Sequence, residues 1–123
     1  MTVRVYGAVA EFLAREFGGL CIDNMTTVNV GIAAVFLTQF DPERVALVLI
    51  NNGAADVYIR PHVPPAVGNG IRLGATGGMV AMSVRDDYIM QALDWQAISA
   101  GINNNVDVIT VRRDTNKAVV TEG

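Results

Sequence analysis

Metal-binding and cationic side chains are scarce in this chain. Within 123 residues lysine occurs once, at Lys117, cysteine once, at Cys21, and histidine once, at His62. A single cysteine excludes an internal disulfide, and one cysteine with one histidine cannot assemble a zinc site of the usual kind within one chain. Nine basic residues against twelve acidic ones leave a net charge of −3, which provides no electrostatic footprint for a nucleic-acid backbone. No window reaches the ~18 consecutive apolar residues needed to span a bilayer. Glu11, Arg15 and Glu16 interrupt the apolar residues near the N-terminus, so no signal peptide is indicated. The expected setting is the cytosol, or an assembly built there, with no nucleic acid, membrane, metal or cofactor as partner.

Charge of either sign is also sparse. Charged residues make up 17% of the sequence and hydrophobic ones 51%, a balance that points to a dry core or to apolar surface kept for a partner. At this length one domain with one core is expected, burying roughly two thirds of the surface its unfolded chain exposes.

Glycine, by contrast, is abundant in GNGIRLGATGG, residues 68–78. A phosphate loop of the G-x4-G-K-[ST] type needs a lysine that this stretch lacks, and a dinucleotide fingerprint needs two residues, not three, between Gly70 and the next glycine. The glycines therefore read as turn chemistry: Gly70 leaves a loop, IRL is a short strand, and GATGG is a tight reversal requiring positive φ.

Along the chain, Tyr6, Val9, Ala10, Leu13 and Phe17 share one face at 100° per residue, and Gly18-Gly19 ends the pattern as a helix C-terminus does. This predicts a short amphipathic helix of about three turns, too short to be stable in water unless its apolar face docks. After Asn24 the period changes to two, with Val28, Val30 and Ile32 alternating against Thr27, Asn29 and Gly31. AAVFLTQ continues the strands, and RVALVLI is apolar on both faces, as a central strand would be. Asn51-Asn52-Gly53 has hairpin chemistry, so RVALVLI and ADVYIRP read as two arms of a hairpin with Gly53 at positive φ. PHVPPAVGNG is a projecting loop. IRL, MVAMSV, YIMQALDWQAIS and VDVITVRR complete the strands, separated by GATGG, RDD and GINNN. YIMQALDWQAIS also suits a helix through Met90, Ala92 and Leu93, but the recurring turns around it favour a strand. The segment DTNKAVVTEG is a tail, or an arm that pairs with a neighbour.

Candidate chemistry is thin. Asp86-Asp87 and Asp56 read as solvated turn residues, since adjacent strand residues point to opposite faces. His62 has no companion to form a nucleophile or ligand set and reads as an exposed loop residue. Neither Ser83 nor Ser99 lies in G-x-S-x-G. Trp95 reads as core packing or an interface anchor. Arg112-Arg113 either grips an acidic partner or forms a solvated strand end.

ERVALVLINNGAADVYIRP, GNGIRLGATGGMVAM and WQAISAGINNNVDVITV, within residues 43–111, together resemble a family of short β-sandwich virion proteins of tailed phages, of the head decoration or cement type. The resemblance implies a structural protein on the outer surface of the capsid shell, with the major capsid protein as partner. Self-association is expected, as a trimer by preference or a dimer. Other virion roles, a head fibre base, connector or tail protein, and a glycan-binding sandwich module remain as alternatives.

The expected architecture is thus mainly β, an antiparallel, jelly-roll-like β-sandwich over residues 25–113. An N-terminal helical arm occupies residues 1–24 and a tail residues 114–123. The expected partner-binding residues are Tyr6, Val9, Leu13, Phe17, Arg112 and Arg113.

Overall fold

The computed structural model describes residue 12, residues 15–17 and residues 21–114. Eight strands are present: β1 (Cys21–Val30), β2 (Val35–Phe36), β3 (Arg44–Asn51), β4 (Val57–Pro61), β5 (Ile71–Leu73), β6 (Gly78–Ser83), β7 (Trp95–Ser99) and β8 (Asn104–Arg113). They form two antiparallel four-stranded sheets, ordered β1-β8-β3-β6 and β2-β7-β4-β5. The protein is mainly β, as its alternating sequence predicts. A four-residue helix, α1 (Val84–Asp87), and a 3-10 turn at Met90–Ala92 lie between β6 and β7.

One hydrophobic core draws on both sheets. The first contributes Val30, Leu47, Leu49, Met82, Val106 and Val108, and the second contributes Val57, Ile59, Leu73, Trp95 and Ala97. Each large aliphatic side chain so buried contributes about 1.5–3 kcal/mol before ordering entropy is subtracted. Trp95 is fully buried within the core, as core packing requires.

The connections depart from the sequence reading. Only β4 and β5 are chain neighbours that also pair; every other consecutive pair of strands divides between the two sheets. The hairpin expected at Asn51-Asn52-Gly53 does not form, because β3 and β4 belong to different sheets. Asn51 explains this crossing. Its buried side chain donates to the carbonyls of Ala55 (2.8 Å), Leu73 (3.0 Å) and Gly74 (3.2 Å), and its Oδ1 accepts from the Gly53 amide at 2.9 Å. Asn104 completes the crossing: its Oδ1 accepts from the Ala55 amide at 3.0 Å, and its Nδ2 donates to Ser99 Oγ at 3.0 Å and the Gly101 carbonyl at 2.9 Å. Buried polar groups must be paired, and these pairs satisfy both asparagine side chains where the chain leaves one sheet for the other.

Gly53 does not take the positive φ expected of it; Gly68, Gly70 and Gly77 do. Its requirement is space, since a Cβ at this buried position would collide with Asn104. Gly53→Val is therefore expected to lower the melting temperature by several degrees more than Ala54→Val, Ala54 being exposed. Equal shifts in a thermal melt would refute the steric account. GATGG does reverse the chain, with Thr76 and Gly77 at φ 56° and 116°, but it too joins strands of different sheets.

Three other segments differ from expectation. β1 begins at Cys21, within the span assigned to the N-terminal arm. AAVFLTQ yields only the two-residue strand β2. The first half of YIMQALDWQAIS is not a strand: the chain makes the 3-10 turn, and Trp95 Nε1 donates to the Met90 carbonyl at 2.9 Å. Of the expected N-terminal helix, residues 12 and 15–17 are helical, whereas Tyr6, Val9 and Leu13 lie outside the described residues, as does the tail beyond residue 114.

Candidate interaction surface

Strands of a two-sheet protein ordinarily alternate apolar and polar residues, so that the outer faces are wet. The first sheet departs from this rule. Opposite the core-facing residues, the register aligns three rows across β1, β8, β3 and β6: Asp23-Val111-Ala46-Ser83, Met25-Ile109-Val48-Ala81, and Thr27-Asp107-Ile50-Met79. The middle row is apolar throughout. Across all three rows the polar positions are Asp23, Thr27, Ser83 and Asp107, and no basic residue is present. Met25 and Met79, at the two edges, are 58% and 57% exposed.

With strands ~4.8 Å apart and same-face residues ~6.7 Å apart, this face covers about 400 Å². Eight of its twelve positions are apolar, so the apolar part approaches the ~300–600 Å² of the largest patches on soluble monomers, which are often functional. RVALVLI reads as apolar on both faces because its second face, Ala46, Val48 and Ile50, belongs to this surface. Double-sided hydrophobicity signalled a central strand in the sequence and did not reveal that one side lies outside the core.

The end of the sheet near Arg113 is polar and cross-tied. Arg112 Nε donates to Asp41 Oδ2 at 2.9 Å, and Arg113 binds Glu43 through two nitrogens, at 2.7 and 3.1 Å. Arg113 also donates to the Phe17 carbonyl at 3.1 Å. Arg85 of α1 lies 3.9 Å from Glu16 and 5.7 Å from the Phe12 ring centroid. The described helical residues thus meet the sheet at this end, and a groove there is lined by Glu16, Phe17, Pro42, Glu43, Val45 and Arg113. Both arginines of the expected partner-binding set are committed to carboxylates of their own chain.

The Arg112 hydrogen bond holds the Asp41 carboxyl below its ordinary range. A depressed carboxylate adds stability above its unfolded-state pKa, and that stability fades as pH falls through the native value. Asp41→Asn is accordingly expected to lower the melting temperature near neutral pH. The gap from the parent should be narrower at about pH 3, below the ordinary carboxylate value of about 4, than near neutral pH. A gap of the same size at both pH values would argue against the tie.

The other candidates are structural. The amides of residues 75–78 are taken by Asp56 Oδ1 and by the carbonyls of Gly53, Asn51 and Gly74, so the glycine turn is held within the protein. Asp86 and Asp87 bond to Ser83 at the start of α1, at the other end of β3 from Asp56. His62 is more than an exposed loop residue: at φ 70°, its Nδ1 lies 2.8 Å from Asp94 Oδ1 and its amide donates to the Asp94 carbonyl, fastening the PHVPP loop. Among the described residues no cluster of three or more His, Cys, Asp or Glu side chains could hold a metal ion, and no helix is long and apolar enough to cross a membrane.

The arrangement defines a mainly β protein of two antiparallel sheets with an apolar outer face. No protein-family model and no curated protein matches the chain. It is similar to a solved structure described as Bacillus endospore appendages that form a novel family of disulfide-linked pili, with 10% identity and a TM-score of 0.45, over 76% of this chain and 86% of that one. A likeness of that degree transfers no role to this chain.

Proposed function

We propose that the protein is a non-enzymatic structural subunit, a decoration or cement protein that binds the outer surface of a phage capsid shell and reinforces the contacts between capsomers. The observation that carries this reading is the apolar outer face of the first sheet, Met25-Ile109-Val48-Ala81 and its flanking rows. Two further features support it. The strand orders β1-β8-β3-β6 and β2-β7-β4-β5 are those of a jelly-roll sandwich, an architecture used by viral capsid proteins among others. The motifs of residues 43–111 resemble virion proteins of this type.

Magnitude favours a multivalent setting. A standard protein interface takes about 800 Å² from each partner, and this face offers about half of that. A single docking event through it is weak, whereas many copies on a lattice, each touching more than one capsomer, bind strongly through effective concentration.

The test is cryo-microscopy of particles carrying the protein, with Val48→Asp as the matched variant. Hundreds of copies per particle on the shell, lost when Val48 becomes aspartate, is the expected result. A dozen or fewer copies along the portal and tail axis would assign another virion role. Retention of specific glycans in place of particles would assign a carbohydrate-binding one. Leu13→Asp with Phe17→Asp addresses the expected helical face separately; particle binding is expected to weaken, and an unchanged binding curve would remove that face from the interface.

A further inference from the structure

The four edges of the two sheets are unequal. β2 is two residues long, β5 three, and β6 six, with α1 following directly at its end. Short strands and covered ends are the means by which proteins blunt an edge against unwanted pairing. Among the described residues β1 has none of this protection. It is ten residues long, and among the described residues β8 is its only strand neighbour. Residues 22–27 are all exposed. The strand CIDNMTTVNV holds no proline, glycine, lysine or arginine; its one charge is Asp23.

We propose that β1 is the self-association edge of the protein: two copies pair their β1 strands antiparallel about a two-fold axis at Met25, joining their first sheets into one continuous sheet. The inference deepens the structural-subunit reading and rests on it for its purpose, though not for its geometry.

The second copy follows from symmetry, charge and area. In a two-fold antiparallel pair, facing residues must both turn their N–H and C=O groups toward the partner or both turn them away. Facing residue numbers therefore sum to an even value, and the axis passes through a residue. An axis at Met25 overlaps the strand from residue 21 to residue 29. It sets Asp23 opposite Thr27 and Ile22 opposite Val28, with no charge facing a like charge. An axis at Asp23 would oppose two carboxylates and shorten the overlap; an axis at Thr26 keeps the overlap but sets Met25 opposite Thr27, whereas the axis at Met25 packs the two exposed methionines against each other. A strand without cations offers an acidic peptide nothing, and its one carboxylate is a poor lure for a basic one. The pairing also brings the two apolar outer faces side by side into a surface of about 800 Å², the size a standard interface requires of one partner.

Sedimentation of the full chain, with oxidative cross-linking of cysteine variants, tests the pairing. The parent is expected to sediment as a dimer that dissociates on dilution. Met25→Lys, at an exposed edge position, should be monomeric and melt as the parent does when diluted to its monomer, while Met79→Lys, on the same face at the far edge, should dimerise as the parent does. In a Cys21→Ser background, Met25→Cys should form a disulfide-linked dimer, since directly facing Cβ atoms lie ~5 Å apart. Asp23→Cys should not, its two copies lying about 13 Å apart along the strand. A monomeric parent, a Met25→Lys chain that still dimerises, dissociation by Met79→Lys, or cross-linking through position 23 would each overturn the proposal. A monomer that coats particles would sink the pairing and leave the decoration role standing; a dimer that binds no particle would do the reverse.

Discussion

Arg44→Leu is expected to lower the free energy of unfolding by about 4 kcal/mol, a large share of the ~5–15 kcal/mol that holds a domain folded. Arg44 is 6% exposed and opens β3. Its Nε donates to the Gln91 carbonyl at 2.9 Å, and its two terminal nitrogens reach the Gln39 carbonyl at 2.5 and 3.1 Å. Longer contacts of 3.4 and 3.5 Å extend to the carbonyls of Ala92 and Leu93. One guanidinium thus binds both the β2-to-β3 crossing and the 3-10 turn to the start of the central strand. Burial holds its pKa below the ordinary value, yet arginine stays charged in proteins, and these carbonyls accept the charge-assisted hydrogen bonds. Leucine would fill part of the space and leave the Gln39 and Gln91 carbonyls without donors, at about 1–3 kcal/mol each. Arg44→Lys keeps the charge but not the planar fork, and should fall between the two. Urea titration gives the answer; a leucine variant within about 1 kcal/mol of the parent would show that the fork is dispensable.

Trp95→Ala is expected to have a similar effect, about 3–5 kcal/mol, through a different mechanism. Trp95 is wholly buried between the sheets, so truncation opens a cavity that the rest of the core, including the fully buried Leu47 and Ile59, can close only in part. Trp95→Phe separates packing from polarity. It keeps most of the apolar volume and removes the Nε1 donor to the Met90 carbonyl, so about 1–2 kcal/mol is expected. The backbone bonds at this position, Leu37 and Thr38 amides to the Trp95 carbonyl at 2.8 and 3.3 Å, are untouched by either change. A midpoint shift in urea with an unchanged slope is the expected signature; an alanine variant as stable as the phenylalanine one would show that the cavity collapses at little cost.

These two sites differ in how far the sequence displays them. Trp95, sharing a strand face with Leu93 and Ala97, reads as core packing or an interface anchor from its neighbours alone. Arg44 does not. Its partners are carbonyls of residues 5 and 47–49 positions away, and a carbonyl carries no side-chain identity by which a sequence could point to it. The outer face is legible in one strand only, where RVALVLI is apolar on both sides. Its extension through Met25, Ile109 and Ala81 becomes visible once the register is known.

The residue pattern by itself determined that this is a mainly β protein, that most of its strands lie near where alternation places them, and that its glycine stretch makes turns. Local chemistry suffices for those conclusions, because the two-residue period and the φ freedom of glycine are properties of the chain segment itself. Which strands pair was decided by tertiary structure. Asn51-Asn52-Gly53 has hairpin chemistry, yet the side chain of Asn51 is satisfied by carbonyls at Leu73 and Gly74, far along the chain, and the backbone crosses to the second sheet to reach them. Alternation likewise divides a strand into two faces without saying what each one meets. The residues of β3 that face the core are buried and those that face away, Ala46, Val48 and Ile50, are half-buried, a distinction made only when the second sheet covers one face.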